Sequence, residues 1–228
     1  MLSDTVRVML HHPARKGRGR RSRGSNPRGR LFRARRRDDS GAALIEAAII
    51  LPVLMVFLLG IIEFGLVYAT GATATGASRS GARLAATAYA PAKTTSTTRR
   101  AAADQVAAAV SADLKNLTSA DPIGMVLYRV DPNATDGAPV GGWPGNNDTM
   151  TGGCTTDCFR YSWSGNPKKM TWTSGDWAAP DACGTTVDNI GVYVLVKHHY
   201  LTGLIGKDKY VGGKTVMRME PLPTDQCS

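Results

Sequence analysis

Between Ala42 and Tyr68 the chain runs through 27 residues that are almost all apolar, with no charge at all from Ala47 to Ile62. An α-helix rises ~1.5 Å per residue, so this segment makes a rod of ~40 Å, longer than the ~30 Å hydrocarbon core of a bilayer. A helix buried in a water-soluble core normally keeps one polar face. This one is apolar on every face, and it predicts a transmembrane helix over 42–68. The rest of a 228-residue chain leaves room for one exterior domain and a tail.

The formal net charge of +10 has the size of a nucleic-acid signature, but its location excludes one. Residues 1–41 hold thirteen Lys and Arg against Asp4, Asp38 and Asp39, and the remainder holds fifteen basic and fifteen acidic side chains. The excess therefore belongs to a leader, 1–41, rich in Arg and Gly and interrupted by Pro13 and Pro27, with nothing in it to pack. No nucleic-acid partner is expected; the first partner is the lipid bilayer. Beyond the span only Arg79 and Arg83 follow within twenty residues, so the positive-inside rule places the N-terminus in the cytoplasm and the C-terminal domain outside, extracellular or periplasmic. A secretory signal would have an apolar region of only ~7–15 residues before its small-residue site, whereas Ala72-Thr73-Ala74 follows a span of 27.

Cys154, Cys158, Cys183 and Cys227 all lie in the last third of the chain. Intervals of four, 25 and 44 residues contain no C-x2-C pair, which argues against a zinc site. An even number of clustered cysteines in an exterior domain predicts two disulfides, with three possible pairings.

From Thr70 to Ala120, Ala, Gly, Ser and Thr dominate. The stretch up to Ala90 extends the membrane helix outward until Pro91. A second helix is expected over Arg99–Leu117, with Val106, Val110, Leu114 and Leu117 on one buried face and Pro122 as its stop. Strands are expected at Ile123–Val130, around Phe159, Tyr161 and Trp163, at Met170 and Trp172, over Ile190–Val196, and over Thr215–Glu220. Residues 131–153, dense in Gly and Pro, read as a long loop. The expected class is α+β: a long N-terminal transmembrane helix extending outward, a second helix, and an antiparallel β-sheet ectodomain. Its divisions are 1–41, a leader; 42–68, the span; 69–120, an exterior helical region; and 121–228, a β-rich disulfide-bearing part.

No catalytic constellation is visible, and the chain is expected not to be an enzyme and to carry no cofactor and no metal. His198 and His199 are adjacent on a strand and point to opposite faces, so one metal cannot use both. Gly213-Lys214-Thr215 imitates the end of a phosphate-binding loop, but the first glycine would fall at Asp208.

A glutamate in a membrane segment costs ~2.5–3.5 kcal/mol on insertion scales, so Glu46 needs a reason. Cleavage after Gly41 would leave Ala42 with a free α-ammonium one helical turn before Glu46, close enough to pair with it. A neighbouring subunit's terminus could offer the same partner, and a Glu46 that snorkels to the cytoplasmic interface is the plainer alternative. Pro52 deprives the carbonyl of Ala48 of its helical bond and predicts a kink or a locally meltable turn. Gly60, Gly65, Gly71, Gly76 and Gly81 offer flat surfaces to other helices. Glu63 lies 17 residues beyond Glu46, ~26 Å along the axis, near the opposite face of the bilayer, where a basic residue of another subunit or water would meet it.

The run Gly41-Ala42-Ala43-Leu44-Ile45-Glu46, then Leu51-Pro52, then Gly60-Ile61-Ile62-Glu63-Phe64-Gly65, resembles the TadE-like family of pseudopilins from bacterial tight-adherence (Tad/Flp) pilus systems. The family signature G-x-x-x-x-E, L-P, G-x-x-E-F-G is met at each position, with weaker likeness in Tyr200-Leu201-Thr202-Gly203 and in Met217-Arg218-Met219-Glu220-Pro221. The resemblance implies a minor pilin-like subunit of a Tad/type IVc pilus or related secretion apparatus, acting in pilus assembly and adhesion. It also implies other pilin-like subunits and a membrane assembly platform as partners, and a prepilin peptidase acting at Gly41 and Ala42. The alternative is a membrane-anchored extracellular binding or adhesion module that never enters a fibre, with Trp143, Trp163, Trp172 and Trp177 either stacking on a ligand or filling a core.

Overall fold

The computed structural model describes residues 40–89, 95–183 and 187–227, apart from the side chains of Ser40 and Gln226. The leader up to residue 39 and the expected stop at Pro91 lie outside these residues. Of one compact unit, Met1–Ile45, only the opening of a helix is described; the other unit is Glu46–Ser228. The class is α+β. Helix α1 (Ser40–Ala88) is 49 residues long and has Pro52 inside it. Helix α2 (Ser96–Leu114) is followed by β1 (Ala120–Arg129), β2 (Cys158–Gly165), β3 (Lys168–Ser174), β4 (Asn189–His199) and β5 (Asp208–Arg218), and the chain closes on a 3-10 turn at Thr224–Gln226.

Helix α2 begins three residues before the expected start. Thr95 Oγ1 accepts from Thr98 N at 3.2 Å while Thr98 Oγ1 accepts from Thr95 N at 3.1 Å, so two of the free donors of the first turn are satisfied reciprocally. Val106, Val110 and Leu114 are buried as expected, with Leu117 half-buried beyond the helix end. Pro122 is not the stop. The helix ends at Leu114, and Pro122 lies inside β1 opposite Val196, next to a register shift before Gly124.

All strand pairs are antiparallel, in the order β3-β2-β1-β4-β5, so the continuously apolar β1 and β4 are interior strands. One face carries Met125, Leu127, Phe159, Tyr161, Val192, Val194 and Val196 against Ala74, Ala77, Ala82 and Ala85 of α1 and Val106 and Val110 of α2. The other carries Val126, Tyr128, Tyr193 and Leu195, packed with Met150, Cys154 and Trp143 from the long loop after β1. Arg160 organises that loop by donating to the carbonyls of Met150 at 2.8 Å, Gly152 at 2.6 Å and Gly153. Cys154 pairs with Cys158, and Cys183 with Cys227. Trp177 is fully buried, and its carbonyl accepts the Tyr89 hydroxyl at 2.9 Å; Trp143, Trp163 and Trp172 are half-buried, with Arg100 over the Trp172 ring at 3.8 Å.

Strand β5 corrects the expected Thr215–Glu220: it starts seven residues earlier and contains Gly212-Gly213. Two adjacent glycines read locally as a turn. Here they are required by what packs on them, because a Cβ at Gly213 would lie 2.3 Å from the Ala74 backbone, and one at Gly212 would lie 2.8 Å from the Tyr193 ring. Small residues on both sides let α1 and β5 approach backbone to backbone. The Lys214-Thr215 that follows has strand duties: Lys214 sits 4.5 Å over the Trp143 ring, and Thr215 Oγ1 lies 2.8 Å from Ser78 Oγ of α1.

Candidate functional site

Helix α1 divides sharply by exposure. No residue from 41 to 62 is buried, and side chains such as Ile49, Phe57 and Ile61 are more than half exposed. Such a stretch of 22 residues rises ~33 Å, close to the ~30 Å of a hydrocarbon core. Burial begins at Glu63, five residues before the expected end of the span at Tyr68, and continues through Thr70, Ala74, Ala77, Ser78, Ala82, Ala85 and Ala86, one face of the helix. Among the described residues, α1 is the one helix long and apolar enough to cross a membrane.

The signature residues separate along this helix. Gly41, Ala42, Glu46 and Pro52 are all exposed within it. Among the described residues Glu46 has no hydrogen-bond or ion-pair partner. Glu63 is the opposite case, with 1% of its surface exposed. Within the chain its Oε1 accepts from Thr202 N at 2.6 Å and Thr202 Oγ1 at 2.8 Å, a residue 139 positions away. Seven residues on, Thr70 Oγ1 donates to Leu66 O at 2.9 Å, which leaves it to accept from His198 Nδ1 at 3.0 Å. His198 is fully buried; its Nε2 and Glu63 Oε2 are both enclosed without a partner among the described residues.

Sequence reasoning did not place Thr202, Thr70 or His198 in this cluster. The signal available was the likeness at Tyr200-Leu201-Thr202-Gly203, which turns out to be the segment that holds Glu63. The second such segment also reaches α1, where Glu220 N donates to Ala86 O at 3.1 Å. The two contacts are 23 residues apart on α1, or ~35 Å, so the C-terminal domain grips the helix at both ends of its packed half. The glycines divide in the same sense. Gly71 faces Val211 and Gly81 faces Val110 and Val192, while a Cβ at Gly60, Gly65 or Gly76 would meet nothing. Three of the five flat surfaces thus remain open to other helices or to lipid.

His198 and His199 point to opposite faces, as strand alternation requires, and burial divides their titration. His198 is held below the ordinary histidine value by burial, against the opposing pull of Glu63. His199 is raised by Asp121, at 2.9 Å from its Nε2, and by Asp208 at its Nδ1. A raised folded-state value contributes stability that is present below ~6.5 and is lost as pH climbs through the folded value; a depressed one removes stability as pH falls below ~6.5. In a histidine NMR titration of the full chain, His199→Gln should delete a resonance titrating above the ordinary value and His198→Gln one titrating below it. The reverse order, or equal midpoints, would contradict this geometry.

Comparison with curated proteins and with solved structures gives no match. The family model described as TadE-like protein matches residues 41–83, so the family that the sequence resembles is the one found on this helix, from its first signature glycine into its packed half.

Proposed function

We propose that the chain is a minor pilin-like subunit of a Tad/type IVc pilus or a related secretion apparatus, anchored by α1 with its C-terminal domain outside the cytoplasm. On this reading it works as a structural part rather than a catalyst. The observation that carries it is the bare, TadE-like half of α1: one bilayer thickness of apolar helix with none of the described residues packed on it, continuous with a half that the C-terminal domain grips. Such a helix is held in lipid until it is extracted, and afterwards it buries the same surface against other pilin-like helices. A prepilin peptidase acting between Gly41 and Ala42, a membrane assembly platform and neighbouring subunits are the partners this role needs.

The test is photo-crosslinking in the native cell from a reactive side chain at Ile49 or Ile61, both exposed on α1. Covalent adducts with other pilin-like subunits are expected, and they should vanish when the assembly platform is deleted. Adducts confined to lipid in piliated cells would leave the anchored, non-fibre module in its place.

A further inference from the structure

The turn between β4 and β5 is built the wrong way round for a hairpin tip in water. Residues 200–207 are closed by Tyr200 N donating to Lys207 O at 3.0 Å, and Gly203 supplies the positive φ of 67° that the reversal needs. Tips of this kind normally carry polar residues. This one presents Leu201, Leu204 and Ile205 at 69%, 65% and 51% exposure. Outside α1, Val216 is the only other large apolar side chain exposed among the described residues, so the apolar surface is concentrated at this tip.

Its place on α1 decides what covers it. Thr202, the polar residue of the tip, donates its N–H and hydroxyl to Glu63, the first buried residue after the bare stretch. The tip therefore stands at the helical level where Leu59, Ile61, Ile62 and Phe64 are themselves exposed. Around it lie the groups that favour an interface between hydrocarbon and water: the half-buried Tyr200 and the exposed Lys207 and Lys209.

We propose that the 200–207 turn is a second membrane contact, inserting Leu201, Leu204 and Ile205 into the outer boundary of the bilayer that α1 crosses. The occupant is phospholipid. The apolar surface of the tip continues that of the span; a protein partner would have to reach the same level through the lipid already there. The insertion seats the ectodomain on the membrane and leaves the Glu63 carboxylate facing Thr202 under a cover of lipid-facing leucines. It rests on the reading of α1 as a membrane span.

The experiment uses the full chain in phosphatidylcholine–phosphatidylglycerol vesicles, with the environment-sensitive fluorophore NBD attached to one introduced cysteine at a time, the four native cysteines being paired. Leu204→Cys and Leu201→Cys are exposed positions whose change disturbs no packing. Leu54→Cys reports the span, and Ala178→Cys reports the distal end, next to the Trp177 that receives the Tyr89 hydroxyl, 26 residues or ~39 Å beyond Glu63 on α1. Labels at 201 and 204 should shift to the blue and lose emission to nitroxides carried near the headgroup of the lipid, more than to nitroxides at mid-bilayer. The label at 54 should lose more to the deep nitroxides, and the label at 178 only to aqueous iodide. Iodide quenching at 204 equal to that at 178 overturns the proposal while the span stands. A blue-shifted label at 204 that neither lipid nitroxides nor iodide reach means a protein occupant, and equally overturns it. Iodide quenching at 54 would instead remove the span itself, and the proposal with it.

Discussion

Gly213→Val is expected to undock the C-terminal domain from its helix and to produce the largest stability loss of any single substitution in β5. The Cβ it adds would lie 2.3 Å from the carbonyl carbon and oxygen of Ala74 and 2.5 Å from Thr75 N. These are backbone atoms of a continuous helix, so no rotamer change relieves the overlap. Overpacked cores lose ~1–3 kcal/mol when side chains can move aside, and here the loss should reach or exceed the top of that range. Against a typical domain stability of ~5–15 kcal/mol that is a large fraction. For a domain of this size, it corresponds to a melting temperature lower by ~10 °C in detergent-solubilised full-length protein. Gly76→Ala is the control, since a Cβ there meets nothing and Ala is favoured over Gly in a helix by up to ~1 kcal/mol. Its melting temperature should stay level or rise. Equal melting of Gly213→Val and the unaltered protein would mean that α1 does not lie on β5.

The same glycine marks where sequence reading stops. The long apolar helix was legible from its length and uniform apolarity, and the buried stripe of α2 and the alternation in β2 and β3 were legible because each is a local periodicity that burial enforces. Gly212-Gly213 was not, because the local signal for a turn and the tertiary requirement for a side-chain-free strand are the same two letters. Arg160 lies between Phe159 and Tyr161 in β2 and donates to the carbonyls of Met150, Gly152, Gly153 and Cys154; a cation's outward position in a strand does not tell what loop folds over it. Of the site, Gly41, Glu46 and Glu63 stood out by spacing. The partner of Glu63 did not, since nothing local connects residue 63 with residue 202. Disulfide pairing was open for the same reason, until loop geometry brought Cys183 to Cys227.

The second large effect concerns processing, and the structure sharpens it by separating the two glutamates of α1. Glu63 is held through one carboxylate oxygen by Thr202, whereas Glu46 is exposed and, among the described residues, unpaired at both. A carboxylate left alone in a span costs ~2.5–3.5 kcal/mol, so Glu46 is the one that calls for an external partner. Cleavage after Gly41 would create that partner, the Ala42 ammonium, on this chain or on a neighbour. Gly41→Leu should therefore block processing, because a bulky side chain crowds the backbone where the peptidase must approach. The protein would then persist as a species heavier by the 41-residue leader and carrying its +10 excess. Glu46→Ala should instead leave the protein in the membrane at near-normal levels, since it removes an insertion cost, while assembly into pili is lost. Glu63→Ala should differ from both, leaving Thr202 without its acceptor and loosening the C-terminal domain from α1 before any question of assembly arises. N-terminal sequencing of membrane-extracted protein, together with pilus counts, separates the outcomes. Pili at normal levels in Glu46→Ala would mean a carboxylate that only snorkels to the interface, and a mature protein beginning at Met1 would leave the anchored module as the function.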